Sequence, residues 1–279
     1  MLLTGLIGRP VSHSIGQTVY NRFYSSSGIE SMYLSIDVMT ENLERFVKLS
    51  KENFSGYNVT IPHKVQIMKY LDSMDPAASE IGAVNLVRNC DGKSRGYNTD
   101  YLAMEKLGSG RGLNFENSSI AVAGTGGVSR TVLYYMARRH PEAEVTIFSR
   151  NPDAAAVKLP SYVLEKGYEI LSTKEMSQRD SFDILINCSP SGMWPETGES
   201  PFIESAILNC QAGIDLVYNP VDTLFIKRLR ELGKKAVSGD GFFIDQGYES
   251  LKLFFGRSVD EELFRSTADI AIRESIVNG

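Results

Sequence analysis

The stretch from Ser118 to Met136 constrains this chain more than any other. Ile120 to Ala123 is a short uncharged run of small and β-branched residues, as in a strand buried on both faces of a parallel sheet. Gly124, Gly126 and Gly127 follow, and then Val128, Val132, Leu133 and Met136 recur on one side of a helix. Strand, tight turn and helix in that order aim backbone N–H groups and the positive end of the helix at one point. Only residues without side chains let a pyrophosphate come that close. The pattern predicts a nucleotide site built from Gly124, Thr125, Gly126, Gly127 and Val128. Ser129 stands where the third glycine of G-x-G-x-x-G would fall, and it is small enough for close helix packing.

One helix later comes a second apolar strand, Glu144 to Phe148, ending in Ser149, Arg150 and Asn151. In dinucleotide folds this strand end carries an acid when the ribose 2′-hydroxyl is read, or an arginine when a 2′-phosphate is held. No acid is present, and the Arg150 guanidinium can fork onto phosphate, so the residues favour NADP over NAD.

The chain has 279 residues, enough for two modest domains or one large one. Its 42% hydrophobic and 23% charged residues are those of a globular protein with material for a core. A net charge of −5 leaves no broad basic field for DNA or RNA. No apolar run approaches membrane-spanning length, and the start of the chain reads as a strand rather than a signal peptide. Cys90, Cys188 and Cys210 are odd in number and far apart, and His13, His63 and His140 are dispersed. Neither a disulfide framework nor a metal centre is expected, and a reduced, cytoplasmic setting fits.

In chain order, strands are expected over Leu2 to Ile7, Met32 to Ile36 and Tyr57 to Ile61, with helices over Gln17 to Ser27, Glu41 to Ser50 and His63 or Lys64 to Leu71. Asp91-Gly92 between two apolar runs predicts a hairpin closing the edge of this first layer. Asp100 is expected to sit near the N-cap of the next helix. Gly108 to Asn117 is the best candidate linker. Further strands are expected over Phe182 to Asn187, Gly213 to Val217 and Lys235 to Ser238. The chain then turns helical from Gly241, with Phe243, Gln246, Ser250, Leu251 and Phe254 at helical spacing.

Three polar clusters stand at the ends of expected strands: Ser12-His13-Ser14, Asn58 with Thr60 and Lys64, and Asn98-Thr99-Asp100. Each alone is ordinary turn or capping chemistry. A nicotinamide site changes that, because hydride transfer to a carbonyl needs a proton donor beside the oxygen. The chain has no good histidine for the task. A lysine oriented by a carboxylate can do it.

Several separated motifs, in order and along nearly the whole chain, resemble the shikimate dehydrogenase family. They are Gly8 to Ser14 (Gly-Arg-Pro-Val-Ser-His-Ser), Asn58 to Lys64 (Asn-Val-Thr-Ile-Pro-His-Lys), Gly82 to Asn85, Tyr97 to Asp100, the glycine turn, Asn187 to Met193, Asp215 to Pro220 and Gln246. The resemblance implies an α/β protein with an N-terminal substrate-binding domain (1–101 with 238–279) and a Rossmann-type NADP-binding domain (102–237), separated by a cleft. It implies reversible reduction of 3-dehydroshikimate to shikimate in aromatic amino-acid biosynthesis, and leaves a homodimer open. Lys64 and Asp100 would be the catalytic pair. Thr60, Asn85 and Gln246 would bind ring hydroxyls, Ser14 and Tyr218 would face the carboxylate, and Ser12 would also bind substrate. The glycine turn would cradle pyrophosphate, Ser149, Arg150 and Asn151 the adenosine end, and Met193, Gly213 and Gly241 would lie near the nicotinamide.

The chain departs from the family at three places. Ser14-Ile15-Gly16-Gln17 replaces the usual Ser-x-Ser-Pro, removing a hydroxyl donor worth roughly 1.5–3 kcal/mol unless Gln17 or water replaces it. Ser149-Arg150-Asn151 replaces Asn-Arg-Thr, and Phe242-Phe243 replaces Met-Leu. A paralogue acting on quinate, and a non-catalytic sensor of nucleotide or shikimate, are the alternative readings.

Overall fold

A computed structural model describes residues 2–12, 14–110, 112–179, 181–256 and 259–277, so His13 lies outside the described residues. The chain folds as two compact units, Met1–Leu102 with Ile244–Gly279, and Ala103–Phe243.

The first unit is built on strands β1 (Leu2–Gly8), β2 (Ser31–Asp37), β3 (Gly56–Val59), β4 (Ser73–Met74), β5 (Leu86–Cys90) and β6 (Lys93–Tyr97), in spatial order β2-β1-β3-β5-β6-β4. β2, β1 and β3 are parallel, whereas β5 runs antiparallel to both β3 and β6. That reversal brings the start of β5 and the end of β6 to the edge where β1 and β3 also end. Successive side chains of β3 point to opposite faces. Tyr57 and Val59 enter a core with Ile7, Leu43, Val47, Ile67 and Val87. The opposite face is covered as well: Phe254 of the helix Asp240–Phe255 closes on Gly56, where a Cβ would stand 2.8 Å from its ring. Phe264 of the last helix, Glu261–Val277, packs edge-on against Phe23 of the helix Gly16–Ser27 at 5.5 Å.

Several expectations change here. Asp91 and Gly92 do make the tight turn, with φ of 51° and 70° and Cys90 opposite Lys93. The hairpin is not the sheet edge, because the two-residue β4 pairs beyond β6. No helix starts at His63 or Lys64. The segment is a turn leading into a 3₁₀ helix, Gln66–Tyr70, because the Lys64 carbonyl accepts from the N–H of Val84 at 2.8 Å instead of serving a helical turn. Gly108 is not linker either. The helix Thr99–Gly110 continues through it, and a Cβ there would stand 2.0 Å from the Tyr135 hydroxyl.

The second unit holds β7 (Ser119–Ala123), β8 (Glu144–Ser149), β9 (Glu169–Ser172), β10 (Ile184–Asn187), β11 (Ala212–Asp215) and β12 (Lys235–Val237), in order β12-β11-β10-β7-β8-β9. Every pairing is parallel. Counted along the chain, this is the 3-2-1-4-5-6 order of a Rossmann sheet, whose switch point falls between β7 and β10. Among the described residues no helix is long and apolar enough to cross a membrane.

β10 and β11 are clamped at their ends by a wholly buried acid. Asp215 accepts from Thr223 Oγ1 at 2.6 Å, from Asn187 Nδ2 at 2.9 Å and from the N–H of Val217 at 2.9 Å. Burial nevertheless outweighs those donors and pushes its carboxyl up to about 6 from an ordinary 3.8. The native state therefore binds this proton more tightly than the unfolded chain. The contribution to stability is complete below about pH 4 and is lost as the pH rises through 6, to a total of about 3 kcal/mol. Asp215→Asn keeps the shape and removes the titration. Measured by denaturant unfolding, the stability of the native chain relative to that variant should fall by about this amount between pH 4 and 7. A difference independent of pH would show that the site does not titrate there.

Candidate active site

Four loops meet at one edge of the first sheet. Ser12 and Ser14 follow β1, Thr60 and Lys64 follow β3, Asn85 precedes β5 and Asp100 follows β6. Gly8 makes room for this convergence, since a Cβ there would overlap Thr60 Cγ2 at 2.3 Å and the Ile61 carbonyl at 2.8 Å. The loops are laced by backbone bonds: Val59 N–H to the Asn85 carbonyl at 2.8 Å, and Asn85 N–H to the Tyr97 carbonyl at 3.0 Å.

At the centre, Lys64 Nζ donates to Asp100 Oδ2 at 2.6 Å, and the two side chains are only 16% and 5% exposed. Asn85 Nδ2 donates to the other carboxylate oxygen at 2.8 Å. The same amide group donates to Thr99 Oγ1 at 2.9 Å, while Asn85 Oδ1 accepts the Thr99 N–H at 2.7 Å. Both Asp100 oxygens are thus engaged and the carboxylate cannot rotate freely. An ammonium carries three donors, so Lys64 keeps others for a substrate oxygen. Asp100 is not the cap of its helix. Asn98 does that work, accepting from the N–H of Tyr101 at 3.0 Å, which leaves the Asp100 carboxylate to face the lysine. His63 is fully buried, with Nε2 2.7 Å from the Val38 carbonyl.

Ser14 Oγ accepts from the N–H of Gly16 at 3.2 Å, and a Cβ on Gly16 would approach that oxygen to 3.2 Å. A side chain at residue 16 would therefore stand beside Ser14. Gln17 is turned to β2, where its Oε1 accepts from the N–H of Ser35 at 2.8 Å. Gln246 lies in the helix Asp240–Phe255, and its carbonyl accepts from Ser250 Oγ at 2.8 Å. In the sequence Ser250 lies outside the site motifs, and Asn58 and Thr99 read as turn chemistry. All three are buried; Asn58 and Thr99 bond Asn85, and Ser250 bonds both of them. Polar residues inside otherwise apolar periodic runs were the available signal.

In the second unit Gly124 adopts φ of +105°, and a Cβ there would stand 3.0 Å from the backbone of Cys188 and Ser189, so the loops after β7 and β10 touch at the switch point. Gly126 caps the helix Gly127–Arg139 and faces open space, with no protein atom within 4 Å of the place a Cβ would take. Thr125, Gly127 and Val128 are half-buried beside it, and Ser129 is wholly buried. A bare helix N-terminus behind a glycine-rich turn is what a pyrophosphate requires, so these residues fit a dinucleotide. At the end of β8, Ser149 Oγ accepts from the N–H of Asn151 at 3.2 Å, and Asn151 Oδ1 caps the next helix through the N–H of Ala154 at 3.0 Å. Both build the bend, and Arg150 is left exposed at its tip.

The other residues expected near the nicotinamide lie on three segments of this unit. Met193 is 38% exposed after β10. Gly213 lies inside β11, where a Cβ would overlap Leu229 at 2.3 Å and Phe225 at 2.6 Å, so helix packing accounts for the glycine. Gly241 is buried in the first turn of the helix Asp240–Phe255, and the Tyr218 ring stacks on Phe243 at 4.3 Å. Among the described residues no group of three or more His, Cys, Asp or Glu could hold a metal ion.

A family model for the shikimate dehydrogenase substrate binding domain matches residues 6–87. Over 274 residues the chain is 39% identical to the shikimate dehydrogenase (NADP(+)) of Thermoplasma acidophilum, covering 98% of this chain and 97% of that protein. A chorismate mutase/shikimate 5-dehydrogenase fusion protein from Clostridium acetobutylicum superposes with a TM-score of 0.88 at 32% identity, covering 99% of each chain. Shikimate 5-dehydrogenase from Thermus thermophilus, solved in complex with NADP(H) and shikimate, gives a TM-score of 0.81 at 28% identity, covering 97% of this chain and 100% of that one. With two α/β units, one of them a Rossmann sheet, and a relative this similar along almost its full length, the chain belongs to the shikimate dehydrogenase family.

Proposed function

We infer that this chain catalyses the NADP-dependent, reversible reduction of 3-dehydroshikimate to shikimate. The observation that carries the reading is the Lys64–Asp100 pair, 2.6 Å apart and braced by Asn85, at the edge where four loops of one sheet converge. A site that only sensed a ligand would have no use for a proton donor held this firmly.

NADPH, when bound at the glycine turn, supplies the hydride. Lys64 gives its proton to the ketone oxygen as that oxygen gains charge, and recovers a proton from solvent afterwards. In the reverse direction it takes the hydroxyl proton. Asp100 holds the ammonium in place, and Asn85 holds Asp100. Ser14, Thr60 and Gln246 offer the hydroxyl and amide groups that would orient a small polyhydroxy acid. Arg150, exposed beyond β8, is suited to the adenosine 2′-phosphate.

Lys64→Ala should lower kcat by about a hundredfold or more with little change in KM, since the lysine acts mainly in the transition state. Steady-state rates with shikimate and NADP+ measure this, and near-normal turnover would overturn the assignment. Replacing Arg150 by Asp should cut the NADP to NAD ratio of kcat/KM by about tenfold or more, the effect of one charge-assisted bond lost. An unchanged ratio would mean that another residue reads the phosphate.

A further inference from the structure

The helix Asp240–Phe255 lays an apolar stripe on the first sheet, yet Ser250 in the middle of that stripe is wholly buried. A hydroxyl withdrawn from water costs stability unless it is bonded, and this one has three partners. Its single proton goes to the Gln246 carbonyl one turn back, at 2.8 Å. The oxygen is then left as an acceptor. Asn58 Nδ2 donates to it at 2.8 Å, and Thr99 Oγ1 lies 3.3 Å away. Because the Ser250 proton is already committed, Thr99 is the donor in that contact.

The direction of each later bond follows. With its proton turned to Ser250, Thr99 Oγ1 presents lone pairs to Asn85 Nδ2 at 2.9 Å. The remaining N–H of that amide points at Asp100 Oδ1, 2.8 Å away. On the far side, Asn58 is held by the Tyr33 hydroxyl, which donates to Asn58 Oδ1 at 2.9 Å. Ser250 is the oxygen on which both arms end, one from Tyr33 and Asn58, the other from Asn85 and Thr99. An alanine would remove it and leave the Thr99 hydroxyl proton only its other acceptor, Asn85 Oδ1 at 3.2 Å, which already takes the Thr99 N–H.

We propose that Ser250 is a positioning residue for the reaction: as a double acceptor on the C-terminal helix, it fixes Thr99 and Asn85 and through them the carboxylate that orients Lys64. The proposal rests on the reading of Lys64 and Asp100 as the reacting pair. It goes further, because it makes a helix far along the chain part of the proton-transfer apparatus.

Steady-state kinetics of the full chain with shikimate and NADP+ test it. Ser250→Ala should lower kcat about three- to tenfold while the KM for NADP+ stays within about twofold, and Ser250→Thr, which keeps the oxygen, should restore kcat. Thr99→Val should cause a similar loss. The double variant should lose little more than either single one, since both cut the same path. A Ser250→Ala enzyme that melts earlier but turns over normally would overturn the proposal, leaving the serine a helix anchor. Strictly multiplicative losses in the double variant would overturn the route through Thr99. Should Ser250→Ala fail to fold, Thr99→Val alone decides, with unchanged kcat against the proposal. Lys64→Ala run alongside separates the two levels: an active variant removes the underlying reading, whereas an inactive one beside a normal Ser250→Ala removes only this inference.

Discussion

An ammonium and a carboxylate drawn largely out of water are costly to keep together. Their attraction offsets the lost hydration only when the remaining lone pairs and protons also find partners. The first unit meets this condition for Lys64 and Asp100. Asn85 takes the second carboxylate oxygen, Thr99 takes both ends of the Asn85 amide, and Ser250 with Asn58 completes the set behind them. The topology makes this feasible. With β5 antiparallel to β3 and β6, four chain segments meet at a single edge, each contributing at least one polar side chain.

The second unit uses the same device to a different end. Asn187 donates to Asp215 there, as Asn85 donates to Asp100, and each acid stands at or just beyond the end of a strand. The partners of Asp215 are a hydroxyl, an amide and a backbone N–H rather than a lysine, and burial pushes its carboxyl upwards. One acid is thereby placed to hold an ammonium and the other to hold the ends of two strands together. The difference lies in what surrounds them, since the residue type and the neighbouring asparagine are alike.

Local backbone chemistry was the most legible part of the sequence. The glycine turn after β7 and the Asp91-Gly92 hairpin depend on conformations that few residues tolerate, so they show through whatever packs around them. The buried strands β1, β7, β8, β10 and β11 were visible for a related reason: a strand covered on both faces must be apolar throughout. β4 and β9 were not. β4 has two residues and β9 only Ile170 and Leu171 between polar ends, so neither shows a run or a periodicity, and each pairs with the edge of a neighbouring strand. Asn58 and Thr60 alternate with apolar residues and so read as one polar face of a strand. The structure covers Asn58 with a helix from the far end of the chain and gives it a buried bond to Ser250.

By itself, then, the sequence determined the class of the fold and the family; it marked the turn after β7 as the expected place for a nucleotide, and motifs read together made Lys64 and Asp100 the expected catalytic pair. The strands and the turn rest on chemistry contained within a few consecutive residues, whereas Lys64 and Asp100 stand 36 positions apart. Tertiary structure alone decided that the Asp100 carboxylate turns to Lys64, that Lys64 sits in a turn whose carbonyl serves Val84, and that Ser250 joins a residue 151 positions away. Those outcomes depend on hydrogen-bond partners brought close by sheet order and helix return. A buried polar group takes whichever partner the fold supplies, and its own neighbours in sequence do not name that partner.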